Sequence, residues 1–213
     1  MKHLTFYLDF ISPYAYLAFE KLPQALQGLS YSVTYKPILF ASLLKAHGSL
    51  GPAEMPAKRD WTYRHVLWLA QAQGTPMAMT AEHPFNPIEL LRLAMACSEA
   101  GQPNRWVCET IFRHVWAQGG SPLDPERLAA LKAQLKPADD AAGEAVKARL
   151  KANSDEALAR GAFGVPTIEV DGKLFWGLDA LPMLRDCLDG GAWFQGPDWE
   201  AAPQVPVGIR RKA

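Results

Sequence analysis

Strand-forming sequence in this chain sits at its two ends, and that segregation limits the possible folds more than any other feature. His3 to Asp9 alternates and is rich in apolar and aromatic residues, which predicts a strand. It stops at Ile11-Ser12-Pro13. Ser12 stands as an N-cap, and Pro13 takes the first helical position, where an N–H would have no partner anyway. From Pro13, residues Tyr14, Leu17, Ala18, Leu22, Ala25 and Leu26 recur at three and four, an apolar helical stripe that runs out at Gly28. A second strand follows at Tyr31 to Lys36. From about 41 to 160 no convincing strand is found. Helices are predicted there over Pro56–Gln73, Pro87–Ala100, Pro103–Ala117, 125–135 and 138–160, punctuated by proline and glycine. Strand character returns in residues 166–170 and 173–176, joined by Asp171-Gly172, a strong two-residue hairpin signal. A last helix over Asp179–Leu188 precedes Gly190-Gly191.

A βαβ unit followed by a helical block and a ββα unit describes an α/β fold, a small mixed sheet with helices on its faces and one large insertion. The expected division is residues 1–40 with 161–190 as the sheet domain, 41–160 as the insertion and 191–213 as a tail. That tail is rich in Pro, Gly and Trp, and either packs as an arm or is partly disordered. Lys plus Arg and Asp plus Glu both number 22, so no overall field gathers polynucleotide or anionic membrane, and neither is an expected partner. No apolar stretch approaches the roughly 20 residues of a membrane helix. Asp9 interrupts the N-terminus before a signal-peptide core is complete. Cys97, Cys108 and Cys187 are widely spaced and odd in number, which fits packing residues in a reducing compartment and hence a cytoplasmic location. His3, His47, His65, His83 and His114 lack the close spacing of a zinc site, so no metal is assigned. The aromatic and apolar residues Trp61, Leu67, Trp68, Leu69, Phe112, Val115 and Trp116 are expected in the core or as pocket walls.

Three motifs in order carry a resemblance: Phe10-Ile11-Ser12-Pro13-Tyr14, Gly164-Val165-Pro166-Thr167 and Phe175-Trp176-Gly177-Leu178-Asp179. They resemble the 2-hydroxychromene-2-carboxylate isomerases, within the thioredoxin-like group that includes DsbA-type oxidoreductases and kappa-class glutathione transferases. The resemblance implies a thioredoxin-like mixed sheet with a large all-helical insertion. It implies a glutathione-dependent isomerase of aromatic degradation acting on an aromatic carboxylate, and a homodimer, since several relatives are dimers. Two rivals follow from the same likeness: a kappa-like glutathione transferase, and a non-catalytic glutathione-binding protein.

Redox relatives carry Cys-x-x-Cys where this chain reads Ser12-Pro13-Tyr14-Ala15, so disulfide exchange by this turn is excluded. What the turn offers is backbone N–H groups, a positive helix end and one hydroxyl for a thiolate that the resemblance supplies as glutathione. Ser12 is thus either a helix cap alone or also the group that stabilises the thiolate. By the same resemblance Val165 precedes a cis-proline, Pro166, and pairs through its backbone with the cysteinyl part of glutathione, with Trp176, Gly177, Leu178 and Asp179 beside it. Asp179 either caps the last helix or pairs with the γ-glutamyl ammonium. Lys45, Lys58, Arg59 and Asn86 fall where the isomerases carry substrate-contacting residues, although each cation fits an exposed, solvated position equally well.

Overall fold

The computed structural model describes residues 1–98, 100 and 102–209. Strands β1 (Lys2–Leu8), β2 (Tyr31–Pro37), β3 (Thr167–Val170) and β4 (Lys173–Trp176) form one sheet in the order β2-β1-β3-β4. β1 and β2 run parallel with Phe6 opposite Tyr35, while β1/β3 and β3/β4 are antiparallel. The crossover between the parallel strands is α1 (Pro13–Ala25). At the β3–β4 turn Asp171 and Gly172 both have positive φ, the type of turn that Asp-Gly favours.

The central position of β1 explains its composition. Leu4, Phe6 and Leu8 enter the main core, while Tyr7 packs on the opposite face with Ile38, Leu43, Ala157 and Val165. Between β2 and β3 lie α2 (Phe40–Ala46), α3 (Pro56–Gln73), α4 (Ile88–Ala96), α5 (Arg105–Trp116), α6 (Pro125–Leu135) and α7 (Glu144–Ala159). Their apolar stripes share the main core with β1 and α1. Phe112 of α5, for example, sits 5.2 Å from Phe19 and 4.9 Å from Phe10, ring to ring. Cys108 is fully buried there and Cys97 and Cys187 pack against the same core; all three are free thiols. Among the described residues no helix is long and apolar enough to cross a membrane.

Several expected boundaries move. α2 is a helix that the sequence reading did not assign. The helix expected over 138–160 begins only at Glu144, because the Ala138 and Asp139 N–H groups turn back to the Ala96 carbonyl. The one expected from Asp179 starts as a 3-10 turn, Leu178–Ala180, before α8 (Leu181–Leu188). Trp68 and Leu67 belong neither to the core nor to a pocket wall; they are exposed on the outer face of α3. The first part of the tail packs as an arm: a 3-10 turn at Ala192–Gln195 and α9 (Pro197–Ala201) bring Phe194 and Trp199 onto Phe175 of β4, whereas residues 200–209 are exposed. Residues 210–213 of the expected tail lie outside the described residues.

Candidate active site

The β1–α1 corner opens onto a cleft of about 1560 Å³ between the sheet edge and the insertion. Ser12 is the N-cap of α1, with extended backbone (φ −91°, ψ 114°) and only 8% exposed. Its Oγ accepts the Ala15 N–H at 3.2 Å, and its hydroxyl faces the Val165 carbonyl at 3.4 Å, a long contact that engages the proton weakly. Pro13 has no N–H, and Tyr16 N–H bonds the Ser12 carbonyl. The Tyr14 N–H is therefore the first-turn donor left open at the positive end of the helix.

Facing this corner, the Val165–Pro166 bond is cis, as the resemblance implies. Gly177 N–H bonds the Pro166 carbonyl at 2.9 Å and ties the β4 end to the same wall. Gly177 sits at φ 98°, ψ 164°, a conformation open to glycine alone, and a Cβ there would collide with the Asp179 carboxylate. Asp179 caps neither helical turn: no side-chain bond reaches a helix N–H, and Ala180 stands at the α8 N-cap. Among the described residues its carboxylate has no hydrogen bond or ion pair, and it faces the cleft. Trp176 is a rim residue, half exposed and 4.8 Å ring to ring from Phe163. Its indole lies so close to Gly164 that a Cβ there would come within 2.5 Å.

The sequence-predicted residues divide cleanly. Ser12, Val165, Pro166, Trp176, Gly177, Leu178, Asp179, Lys45 and Asn86 all line this one cleft. Lys58 and Arg59 do not. The cleft face of α3 is Trp61, Thr62, His65, Leu69 and Gln73; Lys58 and Arg59 lie beyond the wall in the first turn. Lys45 is exposed and forms no ion pair among the described residues. The Asn86 side chain accepts the Ile88 N–H and so also starts α4.

Other cleft residues escaped sequence reasoning. Tyr14 O–H and His65 Nδ1 pair at 2.9 Å, and burial raises the phenol pKa. The His65 ring stacks on Trp61 at 5.8 Å. His83 reaches the Ile11 carbonyl at 2.9 Å. Asp9 is fully buried yet borders the cleft, accepting N–H bonds from Ile11 and Phe40; loss of solvent pushes its carboxyl up to about 7. The spacing of the histidines in the sequence speaks only to metal binding, and no local pattern announces pairings across 51 and 72 residues.

A family model described as the DSBA-like thioredoxin domain matches residues 3–189. The chain belongs to this family. Within it, the chain is 29% identical to the 2-hydroxychromene-2-carboxylate isomerase of Pseudomonas putida, over 87% of this chain and 93% of that protein. It is 27% identical to glutathione S-transferase kappa 1 of Rattus norvegicus, over 91% and 93%. A solved 2-hydroxychromene-2-carboxylate isomerase superposes with a TM-score of 0.75 at 26% identity, covering 92% of this chain and 98% of that one. The DSBA-like fold here is therefore the mixed four-stranded sheet with its helical insertion. In its Ser12-Pro13-Tyr14-Ala15 turn it presents a hydroxyl and no cysteine.

Proposed function

We propose that this chain is a glutathione-dependent isomerase interconverting 2-hydroxychromene-2-carboxylate and trans-o-hydroxybenzylidenepyruvate. One observation carries the reading: a helix N-terminus with an open N–H and a weakly engaged hydroxyl faces a cis-proline wall inside a large cleft, with no cysteine of its own in the turn. Relatives named as these isomerases and as kappa glutathione transferases support it.

The donor set fits glutathione. The Val165 backbone suits the cysteinyl peptide, the uncommitted Asp179 carboxylate suits the γ-glutamyl ammonium, and Ser12 with the Tyr14 N–H suits the sulfur. Holding a thiol of ordinary pKa about 8.5 as thiolate at neutral pH, with a pKa near 6, requires roughly 3 to 3.5 kcal/mol. A hydrogen bond to a charged acceptor gives about 1.5 to 3 kcal/mol and a helix end about 0.3 to 2, a combined range of about 1.8 to 5 that brackets the requirement. Held there, glutathione would supply a thiolate nucleophile able to add reversibly to the conjugated enone of the ring-opened substrate and so permit rotation about that bond. Ser12 stabilises sulfur charge before addition and after expulsion. Lys45 orients the substrate carboxylate and offsets negative charge on the substrate, and the Trp61 and Trp176 rings wall the aromatic part. A cytoplasmic location fits the three free cysteines.

The test is an ultraviolet assay of hydroxychromene carboxylate with and without glutathione. Isomerisation that depends on glutathione and leaves it unconsumed is the expected result. Identity to the rat kappa enzyme favours one second reading, a transferase. Product analysis with an electrophilic aryl halide separates the two, since a conjugate formed faster than isomer would make the chain a transferase.

A further inference from the structure

Two consecutive peptide units lead into Ser12, and all four of their polar groups are held. The Ile11 N–H donates to the Asp9 carboxylate at 3.1 Å and the Ser12 N–H to the Asp9 carbonyl at 3.1 Å. Phe10 C=O accepts the Trp116 indole N–H at 2.9 Å, and Ile11 C=O accepts from His83 Nε2 at 2.9 Å. The first pair is local to the corner. The second reaches in from the helical insertion, 106 and 72 residues away in sequence.

Because a carbonyl only accepts, Nε2 of His83 carries the hydrogen, and in the neutral ring Nδ1 is the acceptor. Nδ1 lies 2.8 Å from the Tyr63 hydroxyl, which is also 2.8 Å from the carbonyl of His83 itself. The ring packs edge-on against Trp116 at 5.5 Å and Phe85 at 6.2 Å. Burial lowers the pKa of the imidazole and so favours this neutral, single-tautomer form. Trp116 is buried away from the cleft, whereas His83 borders it.

We propose that His83 is a positioning residue that fixes the peptide plane ahead of Ser12, so that the insertion, and not the sheet domain alone, sets how well the corner ionises a bound thiol. The plane of the Ile11–Ser12 peptide orients the Ser12 Cα–Cβ bond, and through it the hydroxyl. Stabilisation by a fixed donor depends on its being aimed in advance. The second half of the proposal rests on the thiolate reading above; the hold on the turn does not.

The experiment compares wild type with His83→Phe, which keeps a ring but has no donor, and His83→Gln, whose amide N–H reaches the place of Nε2. Amide hydrogen exchange across residues 10–16, corrected for global stability, is expected to rise about tenfold in His83→Phe, the effect of one lost hydrogen bond. The pKa of bound glutathione rises with it by about one unit, and His83→Gln restores most of both. Exchange at wild-type level in His83→Phe, or identical behaviour of the Phe and Gln variants, would overturn the proposal. Should His83→Phe not fold, Tyr63→Phe removes the hydroxyl behind the ring and is expected to raise the same exchange by a smaller factor; no rise overturns the role. Exchange is read without glutathione. A wild-type chain that left the glutathione thiol at its ordinary pKa would retire the thiolate reading, with the exchange result still deciding the role of His83.

Discussion

Ser12 uses one oxygen in two ways. Its lone pair caps α1 through Ala15 N–H, while its proton points along a 3.4 Å contact that a nearby thiolate easily outcompetes. Ser12→Ala therefore loses about 1 kcal/mol of stability with the cap, and isomerisation falls about 10- to 1,000-fold while glutathione still binds. Denaturant melts and steady-state rates check both, and an unchanged rate removes Ser12 from the mechanism. Gly177 constrains the other side of the site. Gly177→Ala must twist a backbone at φ 98° and displace the Asp179 carboxylate, so the KM for glutathione is expected to rise at least about tenfold. Asp179→Asn, which keeps the backbone, is expected to raise that KM without loss of stability. Equal affinity in both variants and wild type would take Asp179 out of the binding site.

At the scale of elements, α1 announces itself in the sequence by its cap, Ser12, which accepts the N–H three residues on, whereas α5, expected from Pro103, starts at Arg105 behind an Asn104 cap. The alternating run of β1 and the Asp171-Gly172 turn were equally legible, because their determinants are neighbours in the chain. α2 was not: its seven residues follow Leu39, which has no capping side chain, and the Phe40 N–H is taken by Asp9, 31 residues earlier. The same division holds in the site. The helix-start position of Ser12 could be read from its motif, and the cis Val165–Pro166 bond only through the family resemblance, whereas the failure of Lys58 and Arg59 to reach the cleft depends on where α3 is docked. Asp9 links two elements, the Ser12 corner and the start of α2, and its titration is measurable. Its folded pKa near 7 exceeds the ordinary value of 3.8, so the folded state binds the proton more tightly. The stability due to this group is present below about pH 4 and lost as pH rises through 7, by about 4 kcal/mol at most. Denaturant melts from pH 4 to 8 are expected to show wild type losing ground steadily to Asp9→Asn, and a pH-independent difference would contradict the burial of a titrating carboxyl.

For the molecule as a whole, the sheet domain and the helical block share one core, so neither end of the cleft is independent of the other. The C-terminal arm extends that core over β4, with Phe194 only 4% exposed and Lys173 lying 5.8 Å over the Trp199 ring. Phe194→Ala is expected to cost about 3 kcal/mol of stability, read in a thermal melt, with glutathione affinity unchanged because the arm lies away from the cleft. The account as a whole depends on whether this chain ionises a sulfur it does not own. The most direct measurement is a pH titration of thiolate absorbance for bound glutathione in wild type and Ser12→Ala. The account predicts a midpoint near 6 for wild type, shifted toward about 8.5 in the variant. A wild-type midpoint at the ordinary thiol value, or one that Ser12→Ala leaves in place, would contradict it.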